Sequence, residues 1–515
     1  MERLKRLKRE IEKELFTRRA FCGLIFQFFL ILMIPLLYIA KYNHIAGDCY
    51  WFAYWPHCAW ADSHNIFSVL DSALYVVQDF YKSWQGTYSS IFFFALSPIV
   101  FGEQYAAVVP YMMIGMTCIS TFFLFYVLLR KGLRFDFYTY FSVSCIASLV
   151  QFTFMHTPAS GLYWYNGAVH YVFMQGFAII SIGLSVLLLM AINGGNHKKT
   201  VGYTIVTTVM GFIASGANFS TALLNAECFV LFLIMSLVLW KRCKNKKYLL
   251  YLIPFVISEV GFVMNVLAPG NAVRQSYFEK GTVWETILRC FEYSASQAVE
   301  WLDIFVWILL IILIPVILKA VSKCTFKFYY PLIFVVGMYC LYASLFAPGF
   351  YAFGGSEPLA RNQNICKMFL LMGIILCEIY VLGWLEKKFK VVRYIVPVHG
   401  KNVWMWTSVL VLSAIIFVVS FMNLDFVEKK ATFVSYGAYD VIATGYGESY
   451  YQEYLVRLNE YKNNPDKVVY VEPYSIEVYP LWINTETEKS VLESGELSGL
   501  LARWYEKDAI IELRD

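Results

Sequence analysis

The stretch ADSHNIFSVLDSALYVVQDFYKSWQGTY, residues 61–88, has the most informative pattern in this chain. It lies in a long segment, 41–103, that separates the first two long apolar stretches. Its apolar residues recur every three or four positions, which is the spacing of one face of an α-helix. A helix of this kind lies along a membrane surface with its polar face toward water. The stretch therefore predicts a membrane-surface helix in a loop between two spans.

The surroundings of this helix contain polar residues at the membrane surface. Asp71 lies off the apolar face, Asp62 lies just before the helix, and Ser63 can cap its first turn. After the helix, an apolar run at 91–101 is too short to cross a bilayer. A loop of this length indicates a function at the membrane surface. The apolar face consists of Ile66, Leu70, Leu74, Val77, Tyr81 and Trp84.

The composition is that of an integral membrane protein. Of 515 residues, 59% are hydrophobic and 15% are charged, whereas soluble proteins carry about 25% charged residues. Crossing a bilayer as a helix takes about 20 apolar residues. By this measure we expect about eleven transmembrane helices, near 20–40, 104–129, 136–155, 168–191, 201–217, 222–240, 248–268, 300–319, 328–347, 364–385 and 402–422.

The distribution of charge predicts the orientation. Residues 422–515 carry 17 acidic and 9 basic residues, a net charge of −8, which leaves 33 basic and 20 acidic residues, net +13, in the remainder. Of these 33, 26 lie in the predicted cytoplasmic segments and 7 in the short outer loops. Because cytoplasmic loops carry the excess of Lys and Arg, we expect a cytoplasmic N-terminus and an extracytoplasmic C-terminus. No basic patch of the nucleic-acid-binding type is present, and we expect no nucleic-acid partner.

These patterns divide the chain into three regions. Residues 1–19 form a basic cytoplasmic N-terminus, 20–422 a transmembrane domain with 41–103 as its first extracytoplasmic loop, and 423–515 an extracytoplasmic C-terminal domain. In the last region, 450–461 is typical of a helix and 467–471 of a strand. The predicted fold class is an all-α polytopic protein of the cell (plasma) membrane with a small α+β C-terminal domain.

Cysteine spacing points to no metal site. The twelve cysteines are scattered, mostly within apolar segments, where they behave as small apolar residues. No pair has the spacing typical of metal binding. Cys49 and Cys58 share the first outer loop, and a disulfide between them is left open.

The order of segments resembles that of the GT-C superfamily of membrane glycosyltransferases, and more narrowly uncharacterised bacterial polytopic families of that group. Such proteins place an Asp at the start of an amphipathic helix in the first outer loop, followed by a short apolar helix, a second span and a basic cytoplasmic turn. The resemblance covers roughly residues 1–420. It is carried by Ala61-Asp62-Ser63, Trp84-Gln85-Gly86, Phe101-Gly102-Glu103-Gln104, Arg130-Lys131, Trp164-Tyr165-Asn166-Gly167-Ala168-Val169-His170-Tyr171, Ala268-Pro269-Gly270-Asn271-Ala272-Val273-Arg274 and Arg361.

The resemblance implies transfer of a sugar from a polyprenyl-phosphate donor to an extracytoplasmic glycan or lipid acceptor. This chemistry needs a carboxylate that accepts the proton of the acceptor and cations that hold the leaving phosphate. We expect Asp62, and second Asp71, to be the catalytic carboxylate, acting as the base or by organising a metal, and we expect Arg274 and Arg361 to bind the phosphate. A divalent cation, Mg²⁺ or Mn²⁺, is the one cofactor that the resemblance admits. The expected partners are membrane lipid, the lipid-linked sugar and the acceptor.

Further polar residues near the outer ends of spans are candidates for the substrate cavity. These are Asn166, His170, Glu227 and Asn271. A histidine at a membrane interface also fits a structural role, and Asn271 after Pro269-Gly270 also fits a turn.

Acids within apolar spans support a second hypothesis. Glu227, Glu259 and Glu378 lie in such spans. Because charge is costly there, each of these residues is a functional candidate by default. Carboxylates of this kind can couple transport to protons, so a transporter or flippase of lipid-linked saccharides is the alternative. The sequence has no detectable inverted repeat, which disfavours it. A non-catalytic membrane scaffold that presents the acidic C-terminal region is a third hypothesis.

Overall fold

The computed structural model is dominated by helices. Four of its short connecting helices are of the 3₁₀ type, at Ile39–Tyr42, Pro98–Phe101, Glu103–Val108 and Lys246–Tyr251, and three turns are π-helical, at Tyr126–Gly132, Ala159–Tyr163 and Val169–Phe173. The residues that the structure describes are 18–354, 358–395, 403–481, 489–491 and 499–513. The predicted N-terminal region 1–19 lies almost entirely outside them. Up to residue 423 the described α-helices are α1 (Arg18–Tyr38), α2 (Cys49–Ser63), α3 (Ile66–Ser83), α4 (Tyr88–Ala95), α5 (Val109–Phe125), α6 (Phe137–Thr153), α7 (Tyr165–Ala168), α8 (Met174–Asn193), α9 (His197–Ser215), α10 (Phe219–Cys243), α11 (Leu252–Val266), α12 (Pro269–Gln275), α13 (Val283–Trp301), α14 (Ile304–Val321), α15 (Pro331–Ser344), α16 (Ala347–Ala352), α17 (Ala360–Phe389), α18 (Val392–Ile395) and α19 (Val403–Asn423).

Nine helices in the described ranges are long and apolar enough to cross a membrane. Each corresponds to one of the eleven predicted spans, so the prediction of a mainly helical chain with many apolar helices is confirmed. The other two predicted spans form α6 and α9. The 17 residues of α6 make it short for a span, and α9 is rich in threonine, which lowers its hydropathy. The nine helices are Arg19–Tyr42, Glu103–Gly132, Tyr165–Asn193, Phe219–Cys243, Lys246–Val266, Ile304–Val321, Pro331–Ala352, Ala360–Phe389 and Trp406–Asn423.

The segment 41–103, predicted to be the first outer loop, contains a helix that the sequence patterns did not predict. Because α2 precedes the amphipathic α3, Asp62 lies in the last turn of α2 and not at the start of α3. The expected cap is also wrong: Asn65 accepts a hydrogen bond from the backbone N–H of Phe67 at 3.0 Å. The Ser63 hydroxyl instead donates to the carbonyl of Ala59 at 2.7 Å.

Cys49 and Cys58 do not form a disulfide. Both thiols are free. The two residues lie on α2, where a rise of 1.5 Å per residue separates them by about 13 Å along the axis. A disulfide requires Cα atoms closer than about 7 Å.

The amphipathic helix α3 has three faces, whereas the sequence indicated one apolar face and one polar face. Val69, Ala73 and Val76 are buried against the protein. A neighbouring face is apolar yet exposed, and it includes Phe67 and Leu74, with 75% and 50% of their surface accessible. A helix between a protein and a lipid layer needs two apolar faces of this kind. The third face is polar.

The turn after α3 packs closely against the α11–α12 junction. The backbone N–H of Gly86 donates to the side-chain oxygen of Asn271 at 2.9 Å. The Asn271 amide nitrogen donates to the carbonyls of Asn265 and Val266, at 2.7 and 2.8 Å. A Cβ atom at Gly86 would lie 1.9 Å from the Asn265 carbonyl oxygen, so only glycine fits. This packing fixes α12 relative to the first outer loop.

After residue 423 the chain forms a small mixed region. Its sheet has the order β1-β3-β2, in which β3 pairs parallel with β1 and antiparallel with β2. The predicted helix 450–461 lies within α22, and the predicted strand 467–471 overlaps β1. The elements are α20 (Phe426–Thr432), α21 (Val434–Thr444), α22 (Tyr446–Asn463), β1 (Val468–Val471), β2 (Lys489–Val491), α23 (Leu500–Trp504) and β3 (Ala509–Glu512).

This region contacts both ends of the first outer loop. At the beginning of the loop, the buried ring of His44 stacks on Tyr454 with ring centres 4.2 Å apart and makes a 2.8 Å hydrogen bond with the hydroxyl of Tyr450. At the end of the loop, Glu103 pairs with Lys462 at 2.5 Å and accepts a hydrogen bond from the indole of Trp504 at 3.2 Å. The C-terminal region therefore packs on the loop, and its helix α21 packs along α1 as well.

Replacing Gly86 with alanine should destabilise the protein because the new methyl group overlaps the Asn265 carbonyl. Overpacking of this kind costs about 1–3 kcal/mol. Thermal unfolding in detergent, followed by intrinsic fluorescence, measures the effect. Gly202→Ala is the matched control, since a Cβ there meets no atom within 4 Å and alanine favours helix. A Gly86→Ala protein as stable as the wild type would contradict the close packing.

Candidate functional site

The polypeptide around residues 159–173 has an irregular conformation. Two π-helical turns, Ala159–Tyr163 and Val169–Phe173, flank the short helix α7. Such turns occur frequently at functional sites. Two buried polar atoms on this segment, Asn166 Oδ1 and His170 Nδ1, have no hydrogen-bond partner within the described part of the chain. Buried polar atoms are normally paired, so these two are available to a ligand. The Trp164 side chain instead interacts with the carboxyl group of Asp48.

Asp48 supplies the carboxylate of this site. It lies immediately before α2, and the Asn166 amide nitrogen donates to its Oδ1 at 2.9 Å. Burial raises the pKa of Asp48, while the Asn166 hydrogen bond and the positive charge of Arg361 act in the opposite direction. A raised carboxylate pKa suits a general base, whose strength increases with its pKa.

Arg361 lies in the first turn of α17 beside this carboxylate. Its guanidinium carbon is 5.4 Å from the centre of the Trp164 ring. The charges of Arg361 and Arg274 both act on the ring of His170. Within the described ranges, Arg361 has no hydrogen bond or ion pair with the protein. An arginine held by an aromatic face in this way keeps its N–H donors free for an anion.

Arg274 lies in the last turn of α12. It donates a hydrogen bond to the side-chain oxygen of Gln85, and its guanidinium carbon is 5.7 Å from the Trp84 ring and 6.0 Å from the Phe353 ring. Burial, and to a smaller extent the charge of Arg361, lowers the pKa of Arg274. A guanidinium nevertheless stays protonated in proteins. Two cations therefore act at one site, and no described carboxylate forms an ion pair with either.

A cavity of about 280 Å³ adjoins these groups. Its polar lining includes His170, Asn218 and Arg274. The rest is largely apolar, with Phe262, Val266, Phe278 and Phe353 among its residues. A cavity with cations and an apolar lining matches an amphiphilic anion, which carries a charged head and a hydrocarbon chain.

The structure brings together several of the residues that the sequence singled out. Asn166, His170, Arg274 and Arg361 gather around Asp48 and the cavity. Asn271 also lines the cavity, but its side chain is occupied by the bonds to Gly86 and the α11–α12 junction.

Glu227, Asp62 and Asp71 do not line the cavity. Glu227 accepts a hydrogen bond from the Ser344 hydroxyl at 2.7 Å, which joins α10 to α15. Asp62 and Asp71 are exposed, on α2 and α3. The carboxyl group on which the charge of Arg361 acts is that of Asp48, which the sequence analysis missed. One signal for it was present, because Asp48 is the first acid after the first apolar span.

The oxygen atoms at the site fit a hard divalent cation. No group of three or more His, Cys, Asp or Glu side chains suited to a metal occurs in the described ranges. The Asp48 carboxyl and the unpaired Asn166 oxygen are oxygen donors of the kind that such a cation takes. Mg²⁺ is often bound by one or two carboxylates plus substrate phosphates. A bound cation would neutralise charge on the donor phosphate. The requirement for Mg²⁺ or Mn²⁺ stays a prediction.

Comparison with protein-family models, with curated proteins and with solved structures finds no match for this chain. Functional assignment therefore depends on the site itself. The relevant features are the carboxylate of Asp48, the two guanidinium groups and the apolar cavity beside them.

Replacing Asp48 with asparagine should make the protein more stable at neutral pH. The raised pKa means that the folded state binds more protons than the unfolded state, so stability falls as pH rises from about 3.9, the ordinary Asp value, through the raised pKa. Asparagine keeps the acceptor for Asn166 and removes this loss. Melting temperatures measured across pH should show a gain at neutral pH that narrows on acidification. The exposed Asp62→Asn is the control, and a lower melting temperature for Asp48→Asn at neutral pH would contradict the burial of its charge.

Proposed function

We propose that this chain is a membrane glycosyltransferase that moves a sugar from a polyprenyl-phosphate donor to an extracytoplasmic glycan or lipid acceptor. One observation carries the proposal: the part-buried carboxyl group of Asp48 is acted on by the charge of Arg361, which acts together with that of Arg274 next to a largely apolar cavity. A lipid-linked sugar phosphate has the matching parts, which are a hydrocarbon chain, a phosphate and a reactive sugar.

The donor would bind with its phosphate at the two guanidinium groups. Arginine and phosphate form charge-assisted, often bidentate hydrogen bonds. The first isoprene units would occupy the apolar part of the cavity, near Phe262 and Phe278. The sugar of the donor would then lie close to Asp48, because the charge of Arg361 acts on Asp48 as well.

Transfer would proceed by attack of an acceptor hydroxyl on the anomeric carbon. Asp48 takes the proton of that hydroxyl as the new C–O bond forms. The bond between the anomeric carbon and the phosphate oxygen breaks, and polyprenyl phosphate leaves with both electrons of that bond. Arg274 and Arg361 stabilise the negative charge that develops on the leaving phosphate. Asn166 holds Asp48 in position, and its free oxygen is available to a substrate hydroxyl.

We further propose a multi-pass protein of the plasma membrane with its N-terminus in the cytoplasm and its C-terminus outside. The excess of basic residues in alternate loops supports this orientation. It puts Asp48, the first outer loop and the C-terminal region on the extracytoplasmic side. Alkaline phosphatase fused after residue 515 should be active in a bacterial host, and phosphatase fused after residue 196, in the turn before α9, should be inactive. The reverse result would contradict the orientation.

A transporter or flippase of lipid-linked saccharides remains the second candidate because of one observation. Both carboxylate oxygens of Glu378 and one of Glu259 are buried without a hydrogen-bond partner in the described ranges. Such groups in apolar spans can bind protons during transport. Neither residue lines the cavity described above, so the transferase explains the site better.

Substitution of Asp48 separates these functions. In membranes supplied with polyprenyl-phosphate-linked radiolabelled sugar, Asp48→Asn should lower transfer by about 10²–10⁴-fold because the general base is lost. Arg361→Ala should lower it by about 10²–10³-fold because the leaving phosphate loses a cation.

Three controls accompany this assay. Asp62→Asn and Lys82→Ala change exposed charges of the first outer loop, and Glu378→Gln removes the intramembrane charge. All three should leave transfer unchanged. Full transfer by Asp48→Asn would remove Asp48 from the mechanism. The transporter would be favoured if neither the wild type nor any variant transferred sugar and if Glu378→Gln lost saccharide translocation.

A further inference from the structure

A second depression lies apart from the cavity, in the first outer loop. It is a shallow groove of about 460 Å³ between α2 and α3. None of its lining residues belongs to the cavity beside Arg274. They are Trp55 and Ala59 from α2 and Ser68, Asp71, Ser72 and Tyr75 from α3.

Two aromatic rings of the groove are accessible to solvent. The exposed fractions are 51% for Trp55 and 60% for Tyr75. Aromatic residues of a membrane-surface helix ordinarily lie on its apolar face. Tyr75 instead follows Ser68, Asp71 and Ser72 at spacings of seven, four and three, which puts all four on one helical face. Contact with lipid therefore does not explain this ring.

The polar groups of the groove are not used within the protein. In the described part of the chain, the side chains of Ser68, Asp71 and Ser72 make no hydrogen bond or ion pair. An ionised carboxylate only accepts hydrogen bonds, whereas each serine hydroxyl donates one and accepts others. The groove thus offers accessible aromatic faces, one carboxylate that accepts hydrogen bonds and two hydroxyls that both donate and accept them.

These features match the chemistry of a pyranose ring. One or both faces of such a ring carry C–H groups that pack on an aromatic face, and its rim carries hydroxyls that donate to a carboxylate. A phosphate would be repelled by Asp71, and a hydrocarbon chain would leave the carboxylate and both serines without partners. We infer that the groove between α2 and α3 binds a pyranose unit of a glycan.

The position of the groove adds a role within the proposed reaction. Asp48 lies at the start of α2, and Trp55 lies two turns further along the same helix. A glycan held in the groove would be the acceptor, and this role rests on the proposed function. Saccharide binding itself does not rest on it, because no catalytic step is involved.

Saturation-transfer NMR on the full-length protein tests the inference. The protein is kept in a detergent without a sugar head group, so that the detergent does not compete. The probes are maltotriose, mannotriose, chitotriose and galactobiose at millimolar concentration. At least one should receive saturation at its ring C–H groups.

Variants of the groove then locate the binding. Trp55→Ala and Tyr75→Ala should weaken the affinity about tenfold because a stacking ring is lost, whereas Tyr75→Phe keeps the ring and should bind like the wild type. Asp71→Ala should weaken it about tenfold because a charged acceptor is lost. The matched controls are Asp79→Ala, an exposed acid on the same helix, and Trp307→Ala, an exposed tryptophan of α14. Both should bind like the wild type.

Two results would overturn the inference. One is the absence of saturation for all four saccharides. The other is wild-type affinity in Trp55→Ala and Asp71→Ala, which would put the saccharide elsewhere on the protein. Asp48→Asn should bind normally, so loss of transfer in that variant with binding intact separates failure of the groove from failure of the transferase.

Discussion

The closeness of two positive charges, Arg274 and Arg361, is the constraint on which the site depends. Like charges repel, and the repulsion grows as burial removes water. Aromatic faces partly offset this cost, since Trp84 and Phe353 lie beside Arg274 and Trp164 lies beside Arg361. An anion bound beside both guanidinium groups would relieve the repulsion, and its binding would stabilise the folded state.

The backbone that carries these arginines is held by close packing. Gly86 and Gly270 let the turn after α3 approach the start of α12, because a Cβ on either would collide with main-chain atoms. The amide of Asn271 joins the same segments. The position of Arg274 thus depends on two glycines and on an amide whose hydrogen bonds are made within the protein.

Hydropathy and helical periodicity were sufficient to predict the long apolar helices and α3. They failed for α2, whose sequence CYWFAYWPHCAWADS is apolar on all sides and contains Pro56, a residue that ordinarily interrupts a helix. The prediction of Asp62 as the catalytic carboxylate assumed that α3 is the first helix of the loop and begins just after Asp62. In the structure α2 comes first, and Asp62 lies in its last turn.

The candidate site was predictable only in part. Arg274 and Arg361 were recognised because they stand near the ends of apolar spans. The site joins Asp48, Asn166, Arg274 and Arg361 from four distant segments of the chain, and no local pattern encodes such an arrangement. The exposure of Tyr75 on a polar face likewise depends on where α2 and the exposed apolar side of α3 lie.

The C-terminal region is attached to the first outer loop at two places, one at each end of the loop. Burial lowers the pKa of His44 to about 4, so its ring is neutral near physiological pH and the attachment at Tyr450 and Tyr454 needs no charge there. His44 lies four residues before Asp48, in a stretch that is not helical. A displacement of the C-terminal region at this attachment would therefore reach Asp48 through a few peptide bonds. The chain thereby connects its C-terminal region with the carboxyl group of its candidate site.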